Sequence, residues 1–515
     1  MKILIDNINM EPGCEDASLE LRAAKNYKSN LKLYKILRKS IDARKKGRVI
    51  IKYRAVFMAD DKDVHRLIKA GCTIYHEPEM LTLEKGVDPG SVLIVGSGPA
   101  GLFAALRLME RGIRATILER GKCVAERHQD VALLKKEGLL NTESNVVFGE
   151  GGAGTYSDGK LTTRINKGGI EWLFEKLVEY GAPDTILFDA KPHIGTDILS
   201  SVVVNIRKEL TSFGTVFHFE EKVVDIVSRD EKAIAVRTAS GKEIAADHII
   251  VACGNSARDL FESFDKQGVC LEKKGFAVGV RIEHPAEFIN KAQHGVQRAK
   301  LPAADYLLTY TNKVTRRGTY SFCMCPGGEV VNSSSEQGML CVNGMSYSKR
   351  DLPFSNSAIV VAVRPEDVMS GALGGISFQR DMEKKAFDAG GGKFFSPAMS
   401  ALTFCTGKSK SMERVSYVTG FREADFSSIL PAFVSEELKL SLTSFDRTIK
   451  GFVSEGVIIG VETRTSSPVR VVRGDDFQSI SLKRLYPAGE GSGYAGGIVS
   501  SAVDGLRIAD HISGV

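Results

Sequence analysis

Three segments of this chain match the pattern G-x-G-x-x-G, in which glycine lets backbone amides come closer to a phosphate than side chains would allow. They are Gly96-Ser97-Gly98-Pro99-Ala100-Gly101, Gly149-Glu150-Gly151-Gly152-Ala153-Gly154 and Gly491-Ser492-Gly493-Tyr494-Ala495-Gly496. Only the first has the surroundings of a dinucleotide-binding turn. It follows the apolar run Val92–Val95 and opens a helical pattern over Leu102–Arg111. There Gly96 makes the tight turn, Gly98 admits a pyrophosphate and Gly101 lets helix pack on strand. The helix N-terminus offers its positive end to the phosphates. Glu119 closes the next strand, Ala115–Leu118, where a carboxylate accepts ribose hydroxyls. An adenine dinucleotide site is the expectation. The second match runs on into Thr155-Tyr-Ser-Asp158-Gly159 and not into an apolar helix, yet it brings Asp158, Lys160 and Arg164. The third opens a final helix, Ile498–Ile512, with no strand after it. Read alone, each of these two is equally well a plain surface turn.

Other residues could react. Cys323 and Cys325 flank Met324, and on a strand the period of two puts both thiols on one face, roughly 6–7 Å apart at Cα. They read either as a redox pair or nucleophile, or as structural thiols, which are common in cores. His193 titrates near neutrality and could serve as an acid or base, or as a hydrogen-bonded structural side chain. Lys160 could bind substrate or simply be solvated. Arg281 and Arg464 could meet an anionic substrate or pair with carboxylates.

The elements that must position these residues follow from the bulk pattern. The chain has 515 residues, 43% hydrophobic and 26% charged, which fits two to four globular domains and excludes a disordered chain, a collagen or a coiled coil. Its outlier is glycine, 51 residues or about 10% against a usual ~7%. The net charge of +6 is modest and mostly local, since Arg38–Arg54 has Asp42 as its sole acid. That stretch is either a solvated helix face and strand edge or a contact for RNA, a membrane surface or an acidic protein. No apolar run approaches the ~18 residues of a membrane span. Lys2-Ile-Leu-Ile5 ends at Asp6, too short for a secretory h-region, so the expected location is cytoplasmic. The nine cysteines show no metal-ligand spacing, and no metal is expected. Along the chain, Ser18–Tyr27, Leu31–Arg44 and Asp63–Ala70 suggest helices around a strand at Val49–Met58. A β-α-β unit then begins at Ser91, and short strands dominate from Phe276 to Val363.

The Gly96 loop and the Glu119-Arg120 pair resemble the FAD site of glutathione-reductase-type flavoproteins. In that group a Gly-Asp or Gly-Glu near the C-terminus binds the ribityl chain, which Gly489-Glu490 matches, and the helix after it addresses the flavin, which Gly496-Gly497-Ile498 matches. Asp247–Gly254, with Ala252 and Gly254, resembles the strand that closes the first half of the FAD domain, and Val223 stands where strand backbone reads adenine. The similarity is closer to a family of FAD-dependent, or NAD(FAD)-utilising, dehydrogenases without settled chemistry. It is carried by Val147–Leu161, Lys191–Asp197, Tyr320–Gly328, Asn343–Ser346, Glu462–Pro468 and Ala488–Asp504.

The resemblance implies an α/β fold: a Rossmann-type FAD-binding domain from 89–275 and 456–515, an inserted α+β substrate or cap domain over 276–455, and a small basic α+β domain at 1–88. It implies tightly bound, non-covalent FAD. Gly152, Ala153, Gly154, Asp158 and Lys160 would lie along its ribityl chain and ring. No second complete nucleotide-binding unit follows, so NAD(P)H would act as a transient donor. The expected activity is hydride transfer through flavin N5 to or from a small organic substrate. The alternative is a flavoprotein that binds RNA through residues 38–54.

Overall fold

The computed structural model describes residues 1–44, 49–77, 86–163, 168–295, 301–412 and 414–514. The first unit contains β1 (Lys2–Met10), α1 (Leu19–Tyr27), β2 (Leu31–Asp42), β3 (Ile50–Ala59), α2 (Asp61–Lys69) and β4 (Thr73–Ile74). Alternation in β1 and β3 turns Ile3, Ile5, Ala55 and Phe57 inward, where Leu19, Ala23, Val64 and Leu67 of the two helices cover them. The sheet order is β2-β3-β1-β4.

The helix suggested for Leu31–Arg44 is a strand. β2 pairs with β3 through register shifts between Leu33 and Lys35 and between Ile36 and Arg38. Each shift breaks the period of two, so Leu31, Leu33 and Ile36 fall into a spacing that mimics a helix. Four cations of the basic stretch, on β2, just after it and on β3, are paired: Lys39 with Asp16, Arg44 and Lys52 with Asp42, and Arg54 with Asp6. Lys45, Lys46 and Arg48 lie outside the described residues. The free edge of β2 docks on the next unit, with Lys39 N–H donating to Phe188 O (2.8 Å) and Ala190 N–H to Lys39 O (2.8 Å).

The second unit starts with β5 (Val92–Val95), α3 (Pro99–Glu110), β6 (Ala115–Leu118), α4 (Val124–Glu137), α5 (Ile170–Glu179), α6 (Thr196–Phe213) and β7 (Val216–His218). A small antiparallel sheet follows, β8 (Val223–Arg229), β9 (Lys232–Thr238) and β10 (Glu243–Ala245), then β11 (His248–Val251) and α7 (Arg258–Lys266). The chain then crosses at β12 (Leu271–Lys273) into an inserted domain. Its first half is β13 (Phe276–Pro285), α8 (Ala286–His294), β14 (Thr309–Thr311), β15 (Gly318–Asn332), β16 (Val342–Met345) and β17 (Phe354–Val363). Its second half is α9 (Gly374–Ala389), β18 (Ser396–Ser400), α10 (Ala401–Thr406), β19 (Phe421–Glu423), α11 (Ala432–Thr448), α12 (Phe452–Glu455) and β20 (Val457–Glu462). The return runs through β21 (Val469–Val471), antiparallel to β12, to β22 (Leu485–Pro487) and α13 (Ile498–Ile512).

Five parallel strands in the order β22-β11-β5-β6-β7 form the central sheet. The run Val92–Val95 is apolar throughout because both faces are covered. Val92 and Ile94 pack with α3, α5, α6 and α13, while Leu93 and Val95 pack with β8, β9 and α7. The inserted domain is an eight-stranded, mainly antiparallel sheet. β20 pairs with β13 and β18 in it, so the segment assigned from 456 to the second half of the Rossmann-type domain begins with a strand of the insertion. The cause is plain in Val457-Ile-Ile-Gly-Val461, an apolar run that reads alike for either sheet. No helix among the described residues is long and apolar enough to cross a membrane.

Helices α3 and α13 cross at glycine. A Cβ on Gly505 would stand 2.0 Å from the carbonyl oxygen of Ala100. Alanine normally favours a helix over glycine by ~1 kcal/mol, yet Gly505→Ala is expected to destabilise the protein by ~1–3 kcal/mol through overpacking. A lowered thermal midpoint is the expected reading; a raised one means the crossing relaxes freely.

Candidate cofactor and active site

The three glycine segments, separate in sequence, wall one cavity of about 1350 Å³ between the parallel sheet and the inserted domain. Gly96, Gly98, Pro99 and Ala100 line it from the β5–α3 turn, with Glu119 and Arg120 beyond β6. Gly152, Ala153, Gly154, Asp158 and Lys160 line it from the second segment, and Gly489, Glu490, Gly496, Gly497 and Ile498 from the third. Val223, at the start of β8, and Ala252 and Gly254, after β11, complete the expected wall. Ser97 and Gly101 lie behind it: Ser97 holds Glu119, and a Cβ on Gly101 would stand 2.0 Å from Gly96 O. Gly96 has φ +103° and no room for a side chain, since a Cβ would lie 2.5 Å from Ala252 O.

Glu119 is buried and engaged on every side. Its Oε2 accepts from Ser97 N–H (2.9 Å) and Ser97 Oγ–H (2.7 Å), and its Oε1 from Gly121 N–H (2.9 Å) and Gly149 N–H (3.1 Å). Four donors match the roughly four acceptor positions of a carboxylate. In this structure the acid therefore ties the first glycine loop to the second. Arg120 lies over the Phe148 ring and pairs with Glu143 and Asp259.

The second loop is shaped by a residue without any sequence signal. Arg127 of α4, fully buried, donates to the carbonyls of Asn145 (2.8 Å), Val146 (2.9 Å), Glu150 (2.6 Å) and Gly152 (2.9 Å). Burial pulls its pKa down to about 10. Its place in the charged run Ala125-Glu-Arg-His-Gln-Asp130 reads as a solvated helix face. Arg350, also unmarked in sequence, grips Asp158 through both oxygens (2.9 and 2.5 Å). Arg164 lies outside the described residues.

The chemistry-bearing candidates divide between the cavity wall and the layer behind it. Lys160 reaches across to donate to Met324 O. Cys323 lines the cavity, whereas Cys325 is fully buried beneath it. The single-face expectation for this pair is overturned by a bulge: Phe322 pairs with Ala358 and Cys325 with Asn356, so Cys323 and Met324 together oppose Ser357. His193 lies behind the wall, its Nε2 3.3 Å from Ser348 O, and burial lowers its pKa. Arg281 and Arg464 take the carboxylate option. Arg281 donates to Glu462 (2.5 Å), and Arg464 grips Glu383 (3.0 and 2.8 Å), which Arg258 of α7 also holds (2.8 Å at each oxygen). Burial raises the carboxyl of Glu490 to about 7, and Asn255 donates to it (2.7 Å).

The wall suits an elongated nucleotide. Helices α3 and α13 both begin on this cavity without a side-chain cap, Gly98 and Gly497 standing at their N-caps. Uncapped N-termini leave N–H groups free for an anion or a polar ring edge. A Cβ on Gly254, Gly496 or Gly497 would meet nothing within 4 Å, so backbone there faces open cavity.

Comparison with known proteins agrees with this fit. Residues 90–135 match a model described as FAD binding domain, and 275–465 one described as FAD-dependent protein, C-terminal domain-like. Residues 2–57 match a domain of unknown function. An uncharacterized protein of Clostridium beijerinckii is 42% identical over 99% of this chain and 98% of its own. Among solved structures, a geranylgeranyl bacteriochlorophyll reductase-like protein of Thermoplasma acidophilum is 10% identical, with a TM-score of 0.38 over 84% of this chain and 79% of its own. Glycine oxidase of Bacillus cereus is 11% identical, with a TM-score of 0.31 over 82% and 95%. Likenesses this distant carry no argument about chemistry. These family matches make FAD the cofactor, and the chain belongs, with the Clostridium beijerinckii protein, to a family of FAD-dependent proteins.

Proposed function

We propose that this protein is an oxidoreductase that moves a hydride between its flavin and a small organic molecule held under the inserted domain. The observation that carries the reading is the convergence of the three glycine segments, far apart in sequence, on one cavity roofed by a separate sheet. Bound FAD supplies two-electron chemistry at ring atom N5. The chain supplies the rest. Gly96–Gly101 and the start of α3 receive the pyrophosphate, Glu490 and Asp158 face the ribityl chain, and Gly496–Ile498 turn the positive end of α13 toward the ring edge where negative charge gathers on reduction. The domain from about 276 to 465 excludes water and shapes the substrate pocket, as sites between domains commonly do. Tyr306, Tyr310, Tyr320 and Phe322 line the cavity on this side. Binding of FAD is proposed as tight and non-covalent, with NAD(P)H visiting the same cavity as donor.

Two outcomes are expected. Arg127→Met removes the guanidinium from four buried carbonyls, of which Glu150 O keeps Thr155 Oγ–H (3.1 Å), at ~1–3 kcal/mol for each group left unsatisfied. FAD affinity by titration of the apoprotein should fall at least about tenfold, which is ~1.4 kcal/mol. An unchanged affinity removes the clamp from the account. In a second experiment, anaerobic mixing of the flavin-loaded protein with NADH or NADPH should bleach the flavin absorbance. A flavin that neither donor nor any organic reductant can bleach, though dithionite does, contradicts the enzyme reading.

A further inference from the structure

We infer that Cys323 and Cys325 are a dithiol–disulfide couple, with Cys323 the attacking thiolate and Cys325 the resolving thiol, and that the substrate class is a small disulfide. The inference rests on the flavin reading for the return of electrons; the thiol chemistry stands on the protein's own residues.

Cys323 and Arg350 are the cavity-lining members of the eleven described non-glycine residues with positive φ. Cys323 has φ +43°, in the left-handed region that non-glycine residues rarely occupy. Such strain persists where surrounding structure enforces it, and it clusters at functional sites. Two cations do the enforcing. Arg281 donates to Cys323 O (2.6 Å), and Lys160 donates to Met324 O from the opposite wall of the cavity. The bulge turns Cys323 to the cavity and leaves Cys325 buried behind it, close enough for Cys325 Sγ to lie 3.3 Å from Cys323 O. The two side chains are in hydrogen-bond contact, so the sulfurs already lie side by side.

Charge divides the roles. The hydrogen bond from Cys325, followed by Arg281 and Lys160, lowers the pKa of Cys323 against the opposing effect of burial. The same hydrogen bond and burial raise that of Cys325. Arg281 Nη2 also lies 3.5 Å from Cys325 Sγ, within reach of a thiolate formed there later. Buried Glu462 holds Arg281 in place (2.5 Å). Thus the cavity-lining sulfur is the nucleophile and the buried one keeps its proton until needed.

The step balances. Cys323 Sγ, as thiolate, attacks one sulfur of the substrate disulfide; that S–S bond breaks and the outer half leaves as a thiolate, taking a proton. Cys325 gives up its proton and attacks Cys323 Sγ, expelling the second half as a thiol. The two protein sulfurs lose two electrons, and the substrate disulfide gains them as two thiols.

Glutathione disulfide is the probe. The flavin-loaded protein is reduced, freed of reductant and mixed with it anaerobically, and the peptide 318–349 is read by tandem mass spectrometry. Wild type should give that peptide two hydrogens lighter, with the bond between 323 and 325. Cys325→Ser should stop at a glutathione adduct on Cys323. Cys323→Ser should yield neither product. Alkylation of Cys323 by iodoacetamide should reach half its maximal rate well below the pH of about 8.5 typical of free cysteine. The inference is overturned if wild type forms no 323–325 bond, or if Cys325 becomes glutathionylated as fast in Cys323→Ser as Cys323 does in Cys325→Ser. These readouts need no flavin turnover, so a protein whose flavin no donor reduces leaves them intact.

Discussion

The cavity depends on backbone lying directly against backbone. Gly101 on Gly96, Gly152 on Gly98, Gly491 on Gly254 and Gly505 on Ala100 are contacts in which one added carbon would fall 2.0 to 3.1 Å from main-chain atoms. Each draws a loop or helix inward until amides at the starts of α3 and α13 face a shared space. The glycine excess in the composition is explained best here, as the geometry needed to surround a dinucleotide and not as flexibility. Gly505 shows the constraint clearly, because it sits mid-helix where alanine would otherwise be preferred.

Loops drawn so close leave polar groups that must be satisfied, and buried arginines satisfy them. Arg127 collects two carbonyls of the second loop and two just before it, and Glu119 collects three donors from the first and second loops and the amide of Gly121. At the domain junction Glu383 on α9 is shared by Arg258 on α7 and Arg464. Buried ion pairs are weak evidence of stability, because desolvation offsets attraction, but losing one partner is costly. Here they fix where the inserted domain sits, and so what its Cys323–Cys325 bulge faces.

Much of this was legible in the residues. The first glycine loop declared itself through its strand, helix and acid, and the later loops through their family resemblance. What escaped the sequence depended on contacts between distant segments. β2 reads as a helix because two register shifts scramble its alternation. Arg127 reads as a surface residue because its four partners lie 18 to 25 positions away. Glu119 carries the expected position but has its lone pairs committed to the loops, which no spacing rule foretells. Period two placed both cysteines on one face, whereas a single extra residue in β15 leaves Cys323 on the cavity and Cys325 buried just behind it, the two side chains still in hydrogen-bond contact.

The central claim is that one FAD joins all three glycine segments. Hydrogen exchange of the apoprotein with and without FAD tests it directly. Slowed exchange is expected in 96–101, 149–159 and 489–497 together, titrating at one FAD per chain. Protection confined to 96–101, or absent from 489–497, would contradict it.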